Sequence, residues 1–224
     1  MEKRRDSATA YIILADGFET IEALTPLDVL RRCGVEVTTI SLNQTRAVRS
    51  SHGVTVEADA TMEDFMHNCN CCASGTGTSN AGSSTGASDT NTTASTSTTA
   101  SSAVRQALIL PGGYPGYKNL CESAEVGALI TQFHKEGKLL CAICGAPTAL
   151  KANQICRGAA ITCHTSVKEE LSDYYSILSS AVVKYMNIIT GMGAGRSLEF
   201  AFAIAESLTS KEKVEEIKAK MEII

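Results

Sequence analysis

The 224-residue chain carries 20 lysines and arginines against 24 aspartates and glutamates, for a formal net charge of −4, with nine cysteines and no tryptophan. That length suits one α/β domain with a sizeable core and excludes two full ones. The basic residues form no stripe, which argues against nucleic-acid binding, and no apolar run approaches the ~18 residues of a membrane span.

Residues 1–10 are polar and charged, so no signal peptide is expected, and the nine cysteines read as reduced thiols of a cytoplasmic protein rather than a disulfide framework. Residues 11–15 are apolar and partly β-branched and end at Asp16-Gly17, which predicts a first buried strand, with Asp16 placed to cap the next helix. Over 18–33, Ile21, Leu24, Leu27 and Leu30 recur at helical spacing and Gly34 stops the pattern. Glu19 and Glu22 are three apart, so they share a helix face near the C-terminal edge of the first strand, where open parallel sheets bind ligands. Either can equally be a solvated first-turn acid favoured by the helix dipole. A second strand is expected over 35–42, a loop over 43–51, a short edge strand over 54–56 and a helix beginning at 61–66.

The composition then shifts. Residues 68–103 are almost wholly Ser, Thr, Gly, Ala, Asn and Cys, with no large apolar side chain to offset their ordering entropy, which predicts a disordered insertion within a domain spanning 9–221. Cys69-Asn70-Cys71-Cys72 lacks a histidine or second cysteine pair at zinc spacing, so no metal is expected there.

A buried strand over 107–110 runs into Pro111-Gly112-Gly113-Tyr114-Pro115-Gly116, whose glycines form either a candidate oxyanion hole or an ordinary tight turn. A helix over 126–134 ends at Gly137, and the next strand begins at Lys138. It breaks at Cys144, where Gly145-Ala146 leave the corner free of bulk and Pro147 suits a first helical turn. A thiol there is displayed as in the nucleophile elbow of hydrolases, with a helix N-terminus expected to lower its pKa. A buried core cysteine is the plain alternative. Cys141 and Cys144 also form a Cys-x-x-Cys, but along one strand their Cα atoms lie roughly 10 Å apart, too far for a disulfide.

A strand over 159–163 is expected to deliver His164 at its C-terminal end. Ser166 with Glu169 fits a capping box for a short helix. Strands over 182–184 and 188–190 follow. The glycine-rich loop over 191–197 lacks the Gly-Lys-Ser/Thr of a phosphate loop, and helices over 198–208 and 210–220 close the chain.

Glu22, Gly112, Gly113, Cys144 and His164 thus gather at one predicted sheet edge. Leu14-Ala15-Asp16-Gly17-Phe18-Glu19-Thr20-Ile21-Glu22, Leu110-Pro111-Gly112-Gly113, the stretch Ala142-Ile143-Cys144-Gly145-Ala146-Pro147-Thr148-Ala149-Leu150, and Thr162-Cys163-His164 resemble motifs of the ThiJ/PfpI superfamily, in its parkinsonism-associated protein deglycase (DJ-one-like) branch. The resemblance covers roughly residues 10–66 and 104–220. It implies a flavodoxin-like three-layer α/β sandwich with a mainly parallel sheet, similar to class I glutamine amidotransferases, in a homodimer. It further implies a cofactor-independent and metal-free glyoxalase or deglycase acting on small 2-oxoaldehydes such as methylglyoxal, or an oxidative-stress sensor or chaperone using the same thiol. In that resemblance Cys144 matches the nucleophile, Glu22 its carboxyl partner and His164 the histidine near the thiol, a third catalytic residue assisting proton transfer, while Gly112, Gly113 and Gly145 match the substrate and oxyanion loops. A carboxyl group partly buried beside the sulfur is expected to keep its proton and donate to a thiolate. His52 stands where the branch often has arginine.

Overall fold

The computed structural model describes residues 8–68 and 105–223. The expected 68–103 insertion, with its Cys69-Asn70-Cys71-Cys72 run, lies outside the described residues except for Asn68, which ends a helix.

In chain order the elements are β1 (Thr9–Leu14), α1 (Thr20–Arg32), β2 (Glu36–Ser41), β3 (Ala47–Arg49), β4 (Thr55–Glu57), β5 (Ala60–Thr61), α2 (Met62–Asn68), β6 (Gln106–Leu110), α3 (Gly116–Glu122) and α4 (Ala124–Lys135). There follow β7 (Leu139–Ile143), α5 (Pro147–Ala152), β8 (Ala160–Ile161), α6 (Lys168–Leu171), β9 (Ser176–Ile177), β10 (Val182–Tyr185), β11 (Ile188–Gly191), α7 (Ser197–Leu208) and α8 (Lys211–Lys220). Seven strands form one sheet in the order β10-β11-β7-β6-β1-β2-β5. Every pairing in it is parallel except β10 with β11. The chain is a mainly parallel α/β sandwich of the flavodoxin-like type.

Period-2 alternation of near-continuous apolar strands makes the three layers, because each strand feeds both faces. Ala10, Ile12 and Leu14 of β1, Ile109 of β6, and Cys141 and Ile143 of β7 pack with Leu30 of α1, Phe200 and Ile204 of α7 and Ile217 of α8. The intervening Ile13, Leu108, Leu110, Leu140 and Ala142 face the other way, onto Leu120 of α3, Leu129 and Phe133 of α4 and Leu150 of α5. Cys141 is therefore core, fully buried, and burial pushes its thiol upward. Among the described residues no helix is long and apolar enough to cross a membrane.

Several expectations are corrected. The 43–51 segment is not all loop: it holds β3, which pairs antiparallel with β4 as a hairpin off the sheet, and the sheet edge is β5. Asp16 caps no helix. Its Oδ1 accepts from Asn43 Nδ2 (3.0 Å) and the Arg49 N–H (2.9 Å), tying the hairpin to the end of β1. Helix α1 starts at Thr20 under a Glu19 cap and runs through Pro26. The strand expected over 159–163 shrinks to β8, which pairs with β9 in a separate two-stranded sheet. The position beside β11 is taken by β10 folding back on it, and Thr162 N–H instead donates to the Thr190 hydroxyl at 2.9 Å. The Ser166 capping box does not form. His164 caps a short 3-10 turn, Thr165–Val167, ahead of α6.

Candidate active site at the strand-helix elbow

Strands β6 and β7 run side by side with Leu110 opposite Ala142, so their ends release Gly112 and Cys144 next to each other. On the other flank, Cys144 N–H donates to Gly191 O at 3.0 Å, just past the Gly191–Ile143 pairing of β11 with β7. Cys144 itself adopts φ 65°, the left-handed region that costs a non-glycine residue roughly 1 kcal/mol or more. The elbow is thus strained, as its sequence predicts, and it projects a half-buried sulfur at the end of the sheet.

Glu22, in the first turn of α1, has 0 % of its surface exposed. Its Oε2 accepts from Gly112 N–H at 2.8 Å, while Oε1 is buried and completes no hydrogen bond. The carboxyl group faces the Cys144 thiol closely enough for each to move the other's titration. Burial raises Glu22 to about 7, against smaller lowering by Cys144 and the Gly112 amide, and the Glu19 charge adds a further small rise. This is the expected direction for a carboxyl group removed from water.

The thiol behaves differently from expectation. Burial is the largest influence on Cys144 and pushes it up, the Glu22 carboxylate adds to that, and the Gly113 and Gly145 amides pull it down. The α5 N-terminus supplies little, because the Thr148 and Ala149 amides are already spent on Gly145 O (3.2 Å) and Ala146 O (2.9 Å). Two anions cannot sit side by side out of water, so above pH 7 sulfur and carboxyl share one proton. A thiolate exists here to the extent that Glu22 keeps that proton.

The glycines are needed for contact as well as conformation. A Cβ on Gly112 would lie 2.7 Å from both Cys144 Cβ and Glu22 Oε2. A Cβ on Gly145 would lie 2.7 Å from Tyr117 Cδ1. Gly113, at φ 88°, is pressed against the backbone of Gly17 to Glu19. The structure therefore brings Glu22, Gly112, Gly113, Cys144 and Gly145 together. His164 arrives by its main chain, with N–H donating to Cys144 O at 2.9 Å, but its exposed ring is turned to Ser166: Nδ1 lies 2.8 Å from the Ser166 hydroxyl and accepts the Ser166 N–H at 3.2 Å.

Sequence reasoning missed Tyr117 and the whole of α3. The signal was the apolar Tyr117, Leu120 and Cys121 at helical spacing, masked by the turn-like Pro115-Gly116 before them.

Residues 8–207 match the model of the DJ-1/PfpI family. This chain belongs to that family. Protein dj-1beta of Drosophila melanogaster is 34% identical over 212 residues, covering 94% of this chain and 95% of that protein. The crystal structure of Drosophila melanogaster DJ-1beta superposes with a TM-score of 0.78 at 32% identity, covering 97% of this chain and 99% of that one. A shorter match, 39% identical over 107 residues, is to the glutathione-independent glyoxalase DJR-1.2 of Caenorhabditis elegans, covering 47% of this chain and 56% of that protein. Within the DJ-1/PfpI fold, the elbow and the two glycine turns occupy the carboxyl ends of β6 and β7, where an open α/β sheet offers its crevice.

Proposed function

We propose that this DJ-1/PfpI protein is a cofactor-independent glyoxalase that converts small 2-oxoaldehydes to 2-hydroxy acids through Cys144, and that also acts as a deglycase on their early adducts. One observation carries the reading: a half-buried sulfur at a strained elbow is met by a fully buried carboxyl group near pKa 7 and by the Gly113 and Gly145 amides. The worm relative, a glutathione-independent glyoxalase by name, supports the same activity.

In this reading Cys144 as thiolate attacks the aldehyde carbon of methylglyoxal. The new alkoxide is held by the Gly113 and Gly145 N–H groups and takes the proton from Glu22, giving a hemithioacetal and a carboxylate. That carboxylate removes the hydrogen from C1 to form an enediolate, then returns it to C2 while the C1 hydroxyl proton passes to O2. The product is a lactoyl thioester on Cys144. Water cleaves it to lactate and regenerates the pair, so the sum is aldehyde plus water to hydroxy acid with no external electron donor. His164 steadies the elbow through its main chain.

The test is lactate production from methylglyoxal without glutathione. Cys144→Ser is expected to lower kcat by at least about 10³-fold, in line with loss of a nucleophile. A Cys144→Ser protein with wild-type turnover would falsify the assignment.

A sensor reading has its own support, since the donors around the sulfur also suit a sulfinate, and of the six described cysteines Cys144 is the one set beside a buried acid and two amides. It requires that mild peroxide oxidise Cys144 before the others, which peptide mass spectrometry reads directly. The family resemblance also supports a homodimer.

A further inference from the structure

Glu19 meets the site at three points, although the chemistry above gives it no step. Its main-chain N–H donates to Gly112 O at 2.9 Å, its Oε2 accepts from Glu22 N–H at 2.8 Å, and the Gly113 backbone lies directly against its nitrogen. The side chain is 15% exposed, and its outer oxygen Oε1 faces His52 Nδ1 at 3.8 Å. Helix capping alone does not call for glutamate: shorter Ser, Thr, Asp and Asn cap best, and a longer chain gives up more rotamer freedom when fixed. What a glutamate adds here is a second carboxylate one turn before Glu22 on the same helix face.

We propose that Glu19 is a positioning residue for the Glu22–Cys144 pair: its carboxylate caps Glu22 N–H, fixing the first turn of α1 that the Glu19 main chain ties to Gly112, and, as a like charge, keeps the proton on Glu22. The capping bond uses the inner oxygen. Fixing Glu22 N–H sets where the Glu22 side chain leaves the helix, and the Gly112 backbone bonds Glu19 through its O and Glu22 through its N–H, so one peptide segment registers both acids. The titratable groups acting on Glu22 are Cys144 across the elbow and Glu19 on its own helix. Those facing Glu19 are Glu22 and, from the hairpin, the largely exposed His52.

The test separates charge from clamp and does not need turnover. The pH dependence of Cys144 alkylation by iodoacetamide, followed by peptide mass spectrometry, is measured for the wild type and for Glu19→Gln, Glu19→Ala and Glu19→Asp. Kinetics with methylglyoxal are measured in parallel, and this second arm rests on the glyoxalase reading. Glu19→Gln keeps an acceptor for Glu22 N–H but loses the charge, so Glu22 ionises sooner, its carboxylate opposes the thiolate, and the alkylation midpoint is expected to move to higher pH by roughly several tenths of a unit. Glu19→Ala loses both, so the midpoint moves the same way and kcat falls roughly tenfold with KM little changed. Glu19→Asp, which keeps a charged cap, is expected to recover the midpoint. If the Gln and Ala variants melt lower but alkylate with the wild-type midpoint, Glu19 is a helix cap only and the proposal is overturned. A wild type inert to methylglyoxal defeats the glyoxalase reading alone, because the alkylation arm still decides the role of Glu19.

Discussion

Glu22 couples the site to stability. Its pKa rises from 4.5 in an unstructured chain to about 7 in the fold, so the fold favours the protonated form. A raised folded pKa contributes stability that is complete below pH 4.5 and is lost as pH climbs through 7. The rise corresponds to about 3 kcal/mol for this fully buried group. Glu22→Gln has no such titration. The stability of the wild type relative to Glu22→Gln is therefore expected to decline by up to about 3 kcal/mol between pH 4.5 and 8, read by denaturant unfolding at each pH. A constant difference across that range would mean that Glu22 is ionised in the folded protein. At the same scale, the thiol at an elbow was legible in the sequence, but the direction of its titration was not. The residues around Cys144 announce a helix N-terminus, whereas burial beside an acid, which no local spacing reveals, governs the proton.

The elements meet most tightly at Gly112, where the end of β6, the elbow after β7 and the first turn of α1 converge on one residue without a side chain. Gly112→Ala places a methyl group 2.7 Å from Cys144 Cβ and Glu22 Oε2, closer than side-chain atoms pack without shifting. Overpacking of this kind costs about 1–3 kcal/mol, and a shift of the reacting groups by about 1 Å costs roughly 10²-fold in rate. Both losses are expected for Gly112→Ala in thermal melts and in kcat/KM. Wild-type activity in that variant would show that the pair works without its present spacing. The long elements were legible because their burial is periodic: β1, β2, β6, β7, α1, α4 and α7 follow the apolar pattern closely. Some of the short ones were not. β5 and β9 are two residues each and exist through their partners β2 and β8, and α3 hides behind a proline and a glycine.

For the molecule as a whole, two of the exposed large apolar side chains among the described residues, Ile21 (48%) and Val54 (45%), lie on α1 and on the β3–β4 hairpin, which are joined by Ser51 N–H to Phe18 O and by the Thr20 and Ser50 hydroxyls. Apolar side chains left in water on two joined elements favour association, which agrees with the proposed homodimer. Light scattering is expected to give twice the 23.6 kDa chain mass, and a monomer at micromolar concentration would remove the homodimer from the proposal.

The sequence by itself determined the class of fold, the strained thiol corner and the set of residues worth bringing together, because apolar periodicity and Gly-Pro punctuation are local properties of the chain. Only the tertiary structure decided how that corner is used. It moved β8 out of the sheet and turned His164 toward Ser166, made Gly112 a matter of contact between three elements, and set Glu19 on the backbone that also holds Glu22. Those outcomes depend on which distant segments compete for the same space and the same hydrogen bonds, and that competition is settled only when the chain is packed.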